Sequence, residues 1–163
     1  MVWFAIVISF ILDSIVSNFI SLNSLFTPLF TLMSLILVYP YFKGMIEKYY
    51  ITSFVTGICY DLIYTDTIII HGFLFLFIAF IITRLNILLS NNFVNVIIMA
   101  FVCIITYRFI TYGLLLITDN VSFHVSILFK SIYRSLILNL AYVSLGCIIL
   151  ERLAKKFKIR KIN

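Results

Sequence analysis

Six apolar runs, separated by only a few polar residues each, make up nearly the whole chain. They can be cut at about Val2–Ile20, Leu25–Phe42, Tyr49–Tyr64, Ile68–Thr83, Phe93–Ile117 and Val121–Leu150. A helix needs roughly 20 mostly apolar residues to cross the hydrocarbon of a bilayer, so six crossings take up about 120 residues. In a chain of 163 residues that leaves only short loops and tails, with no room for a globular catalytic domain outside the lipid. Hydrophobic residues are 64% of the chain and charged residues 11%, with a mean hydropathy of +1.20. A soluble domain is about half apolar and about a quarter charged, which excludes a soluble enzyme, a disordered tail and a disulfide-knit secreted module.

The runs are apolar on nearly every side. Strands of a membrane barrel would instead alternate apolar and polar side chains over about ten residues. Because every backbone hydrogen bond must close locally in hydrocarbon, the runs are expected to be helices despite their many Ile, Val and Phe residues. The fold class expected is an all-α polytopic membrane protein of about six transmembrane helices. Residues 1–150 would form a single helical transmembrane domain and 151–163 a basic cytoplasmic tail. Pro28 is expected in the first turn of the second span, where proline is tolerated. The third span is short, but Lys48 can snorkel. Thr65-Asp66-Thr67 is expected to make a tight hairpin. The sixth run is too long for one upright span, so its first part should lie at the interface or tilt. The N-terminus lacks the basic region and small-residue cleavage site of a signal peptide and is expected to be a retained span.

Charge gives the sidedness. Of twelve Lys and Arg residues, six fall in the final stretch: Arg152, Lys155, Lys156, Lys158, Arg160 and Lys161. With that tail in the cytoplasm, as the positive-inside rule demands, an even number of spans also puts the N-terminus there. The inner connections then carry Lys43, Lys48 and Arg84, and the outer ones carry Asp66, Asp119 and His124 without a basic residue. The expected location is the bacterial inner (cytoplasmic) membrane with both termini cytoplasmic. The tail suits contact with anionic lipid headgroups. It lacks the aromatic or loop context of a nucleic-acid patch, so no nucleic-acid partner is expected.

An ionisable side chain at membrane depth costs on the order of 2.5–3.5 kcal/mol and needs a partner or a wet cavity. Ser9, Asp13 and Ser17 repeat every fourth residue along one face of the first span. Ser53, Gly57 and Asp61 form a similar face on the third. Arg108 aligns with Thr111 and Tyr112 on the fifth. Ser131, Ser135, Asn139 and Tyr142 form a polar sector beside Lys130 and Arg134 on the sixth. Topology puts Asp13, Asp61, Arg108 and Arg134 in the outer half of the membrane. These two acids and two bases are expected to meet in the bundle interior as an ion-pair cluster fixing helix register; a ligand or proton site is the alternative. The small-residue faces also suit close packing of spans, within the bundle or against another protein.

Signals for chemistry are sparse. Cys59, Cys103 and Cys147 lie in apolar stretches without ligand spacing and read as free buried thiols. Their even spacing is not matched by their flanking sequences and reads as coincidence, not as a repeat. His71 and His124 stand near no second ligand in a metal pattern, and His71 reads as a capped or interfacial histidine. No Gly-x-Ser-x-Gly elbow, Walker loop or zinc motif occurs. Asp61 and Asp66 could suggest an aspartyl pair, but Asp66 falls in the hairpin, where Asp is expected anyway. No catalytic residue, cofactor or metal is expected.

The stretch from Ile46 to Asn86 resembles the family of the rod shape-determining protein MreD. Met45-Ile46-Glu47-Lys48-Tyr49-Tyr50 leads into Ile51-Thr52-Ser53-Phe54-Val55-Thr56-Gly57-Ile58-Cys59-Tyr60-Asp61-Leu62-Ile63-Tyr64. His71-Gly72-Phe73-Leu74 follows, then an apolar run ending at Arg84. Gly57, Asp61, Leu62, His71 and Arg84 match the family's Gly-x-x-x-Asp-Leu core, turn and second span. The family often has glycines just after the Asp-Leu-aromatic segment and shortly before the histidine. Thr65, Asp66 and Ile69 occupy that region here, so the turn should be built differently. The resemblance implies a non-enzymatic scaffold of the cell-elongation machinery, maintaining cell shape by organising lateral peptidoglycan synthesis. Its implied partners are the bitopic MreC, the cytoskeletal MreB, a RodA-type glycosyltransferase and a class B penicillin-binding protein. It also implies a fold similar to the substrate-binding subunit of energy-coupling-factor transporters. That makes a vitamin-type uptake subunit, with a cavity open to the outside, the alternative function. Asp61 and Gly57 would shape a tight third-to-fourth hairpin, with Asp13, Arg108 and Arg134 holding the other spans in register around it.

Overall fold

The computed structural model describes residues 2–20, 27–42, 44–65, 67, 69–89, 93–118 and 124–156. The predicted punctuation at Ser21–Ser24, with Lys43, Asp66, Asp119 and the tail from residue 157, lies outside them. The architecture is all-α: α1 (Val2–Ile20), α2 (Phe30–Val38), α3 (Ile46–Tyr64), α4 (Ile70–Leu88), α5 (Phe93–Ile117) and α6 (Val125–Lys156), with a 3-10 turn at Tyr39–Tyr41. Each predicted run contains one helix. Three of them, α4, α5 and α6, are long and apolar enough to cross a membrane, while α1 and the α2 segment are shorter apolar helices.

The second run departs most from expectation. A span filling Leu25–Phe42 was predicted, with Pro28 inside its first turn. The α-helix has only nine residues, all buried, and starts two residues after Pro28. At 1.5 Å per residue it is roughly 14 Å long, far short of a crossing. It ends where Pro40, which has no N–H to donate, enters the 3-10 turn. Outside the helix, Pro28 leaves Leu29, Phe30 and Thr31 free to send their amides to partners on other helices. α2 is the centre of the fold. It packs against all five other helices, while α1–α2, α3–α4 and α5–α6 associate as successive hairpins.

The core gathers around it. Leu32, Met33, Leu35 and Ile36 of α2 pack with Phe75, Ile78 and Ile82 of α4 and with Cys103 and Ile104 of α5. Tyr49 of α3 is fully buried, and its hydroxyl donates to the Leu35 carbonyl at 3.1 Å. Its ring meets Tyr39 edge-on at 5.1 Å between centroids. Lipid tails are as apolar as these side chains, so shape complementarity and polar contacts, not exclusion of water, must favour association.

The sixth run, expected to lie partly at the interface or to tilt, forms one long helix. α6 is unbroken over 32 residues, starting at Val125. Roughly 48 Å long, it exceeds the hydrocarbon thickness of about 30 Å. It runs through Leu150 to Lys156, so the first residues of the expected tail are helical.

Candidate functional site

Most hydroxyls on the polar faces are satisfied within their own helix. Ser53 donates to the Tyr49 carbonyl at 2.9 Å, Thr56 to Thr52 at 2.7 Å and Thr83 to Ala79 at 2.9 Å. Bonding back to the carbonyl four residues earlier lets a helix carry Ser and Thr in hydrocarbon without orphaned groups. The polar residues that join different helices are fewer, and they cluster where helices begin.

The first such place is the start of α2. A helix leaves its first amides unpaired, and here that start is buried. Asp13 of α1 accepts the amides of Phe30 and Thr31, one on each carboxylate oxygen, both at 2.7 Å. Asn139 of α6 accepts the Leu29 amide at 2.8 Å and donates to the Thr27 carbonyl at 3.0 Å. Both side chains are buried. A carboxylate at a helix N-terminus also meets the positive end of the helix dipole. Ser9, one turn before Asp13, joins Tyr142 of α6 hydroxyl to hydroxyl at 2.6 Å.

The second place is the start of α4. Asp61, also buried, accepts the His71 amide on one oxygen at 2.8 Å. Its other oxygen lies 2.6 Å from His71 Nδ1 and accepts the hydroxyls of Thr65 at 2.9 Å and Thr67 at 2.6 Å. His71 Nε2 reaches the Tyr107 hydroxyl of α5 at 3.2 Å. With Nδ1 donating to the carboxylate, a neutral imidazole has Nε2 free to accept from Tyr107. The network therefore ties α3, the following turn, α4 and α5 together.

Gly57 makes this approach possible. A Cβ there would stand 2.6 Å from the His71 carbonyl carbon and 2.7 Å from Gly72 Cα, both backbone atoms, and would overlap the His71 carbonyl oxygen. Any other residue would push α3 and α4 apart. Across the same contact, a Cβ on Gly72 would meet side chains of Ile58 and Phe54 at 3.1 and 3.2 Å.

The predicted ion-pair cluster does not form. Asp13 bonds to helix amides and Asp61 to His71 and two threonines; neither pairs with a guanidinium. Arg108 instead donates from Nε to Ser135 at 2.6 Å and from an Nη to Thr27 at 2.5 Å, with its Cζ 5.7 Å from the centre of the Tyr107 ring. Arg134 is half-buried on α6, and its carbonyl accepts the Thr27 amide at 3.4 Å. The physical reason is competition. Amides at a buried helix start have no other partner, and they capture the carboxylates before a more distant guanidinium can.

Of the residues singled out from sequence, Gly57, Asp61 and His71 converge at one spot. Leu62, 74% exposed, and Arg84, exposed with its Cζ 5.0 Å from the Phe80 ring, point away from it. Tyr107, Thr67 and Thr27 carry part of the network and were not singled out. The two threonines that flank Asp66 after Asp61, and the tyrosine beside Arg108, were the available signals.

A sequence profile of the family described as rod shape-determining protein MreD matches residues 1–157. No curated protein and no solved structure matches the chain. The match takes in α1 through α6, with Asp13, Gly57, Asp61, His71 and Asn139 inside it, and on that extent the chain belongs to the MreD family of rod shape-determining membrane proteins.

Proposed function

We propose that the chain is a non-enzymatic membrane scaffold of the bacterial cell-elongation complex that docks the span of an MreC-like bitopic protein. Through it the chain would organise lateral peptidoglycan synthesis with MreB, a RodA-type glycosyltransferase and a class B penicillin-binding protein. The observation that carries this reading is where the interior polar groups go. Asp13, Asp61, His71 and Asn139 bond to the chain's own helix starts and turns, so they build shape. The exposed surface is rich in large apolar side chains at helical spacing, such as Phe73, Phe77 and Phe80 on α4 and Leu62 on α3. In a membrane this surface meets lipid or another span. Close packing and not water exclusion would then select the partner.

In this reading six helices place both termini in the cytoplasm, residues 1–150 form the membrane domain, and the basic end beyond them touches lipid headgroups or a cytoplasmic partner. Depletion in the native host combined with affinity capture tests it. A scaffold yields rounded or swollen cells on depletion and co-purifies with a single-span protein. Normal rod shape with no captured bitopic partner would overturn it, as would substrate turnover by the purified chain alone.

A further inference from the structure

Between the start of α4, the end of α5 and the start of α6 lies a cavity of about 410 Å³ that none of the bonds above fills. Its size falls within the roughly 300–1,000 Å³ usual for small-ligand sites. Arg108, Thr111 and Ser131 contribute polar lining, and Leu74, Leu115 and Ile127 apolar wall. No acid is among the lining residues, all of which are described.

Arg108 is the unusual group. Its two bonds go to neutral hydroxyls, those of Ser135 and Thr27, which hold its plane without cancelling its charge. The acids that could have served as counter-ions are taken: Asp13 by the α2 amides, Asp61 by His71 and the turn threonines. A cation at membrane depth needs a counter-charge, and a guanidinium has five N–H donors in a fixed fork suited to phosphate oxygens.

We propose that this cavity binds a phosphate group through Arg108, with the apolar wall formed by Leu74, Leu115 and Ile127 taking a hydrocarbon chain attached to it. The phosphate is that of an anionic amphiphile, or of a free phosphate ester with the same headgroup chemistry. The site is independent of the scaffold reading, since failure to capture a bitopic partner would leave it standing.

The test uses the full chain in neutral detergent, with native mass spectrometry reading lipid retained from phosphatidylglycerol or phosphatidylcholine. The expected result is one phosphatidylglycerol per chain, held in preference to phosphatidylcholine. Arg108→Gln should weaken that retention by roughly tenfold or more, the factor for losing a charged hydrogen bond. Leu115→Trp, which adds bulk at a wall residue that is 44% exposed and makes no bond to Arg108, narrows the cavity; it should weaken retention comparably while leaving the melting temperature nearly unchanged, and it decides the matter if Arg108→Gln does not fold. Displacement of the lipid by inorganic phosphate supports recognition of the phosphate alone. Binding of inorganic phosphate without lipid retention, abolished by Arg108→Gln, assigns the free ester as the source. Equal retention of both lipids, retention undiminished in both variants, or neither lipid nor phosphate bound would overturn the proposal.

Discussion

Asp13 and Asp61 stand in the same relation to the helix that follows each of them. Each carboxylate reaches from the outgoing helix of a hairpin to the opening amides of the returning one: Asp13 to Phe30 and Thr31, Asp61 to His71. The third hairpin has a counterpart without charge, because the Tyr112 hydroxyl of α5 accepts the His124 amide at 2.8 Å just before α6. Three hairpins are thus closed by one device, with the chemical group varied.

The two aspartates should therefore fail alike. Asp13→Ala leaves two buried amides without acceptors, and Asp61→Ala strands an amide, an imidazole and two hydroxyls. Each should destabilise the protein by about 2–4 kcal/mol, read as a lower melting temperature in detergent and reduced accumulation in membranes. Asp13→Asn keeps one good acceptor and should cost less, about 1–2 kcal/mol. An Asp13→Ala protein as stable as the parent would show that water or another group replaces the carboxylate.

Gly57→Ala places a methyl group against the His71 backbone, where no side chain can rotate away. Overpacking of this kind costs about 1–3 kcal/mol. The helices should separate enough to weaken the Asp61–His71 contact, which a cysteine pair spanning α3 and α4 would report as slower crosslinking. Gly113, inside α5 with nothing within 4 Å of where its Cβ would stand, is the control, and alanine there should not destabilise and should gain up to about 1 kcal/mol.

Ile69 should improve on replacement. It sits just before α4 with φ of 75°, a left-handed conformation that a β-branched residue adopts at a penalty. Ile69→Gly should stabilise the fold by about 1 kcal/mol, the left-handed penalty less the greater entropy of a glycine chain. A lower melting temperature would mean that the Ile69 side chain contributes more by packing than its backbone loses.

Leu62 and Arg84 point outward, so their substitution should separate folding from assembly. Leu62→Ala and Arg84→Ala are expected to leave melting temperature nearly unchanged while reducing capture of a bitopic partner in detergent extracts. Full capture by both variants would move the docking surface to another face.

The number and helical nature of the elements were legible because hydrocarbon admits little else. The pairing of Gly57 with Asp61 on one face of α3 was legible, since they lie one helical turn apart, but Asp61 was expected to meet Arg108 and Arg134, and its capture by His71 at the start of the next helix was not. The shortness of α2 was not. Apolar residues continue from Leu25 to Phe42 whether or not the backbone is helical, and only Asp13 and Asn139, distant in sequence, show where the helix starts. The bases were misplaced for a related reason. Spacing shows that Asp13 faces inward but does not say whether an amide or a guanidinium will reach it first.

The buried start of α2 bears on how the protein is made. Its amides are shared between Asp13, near the N-terminus, and Asn139, near the C-terminus, so the central helix cannot be fully seated until the last span has emerged from the ribosome and entered the bilayer. Until then the first hairpin would wait with one of its anchors missing. A nascent chain truncated before α6 should therefore be an early target for membrane quality-control proteases.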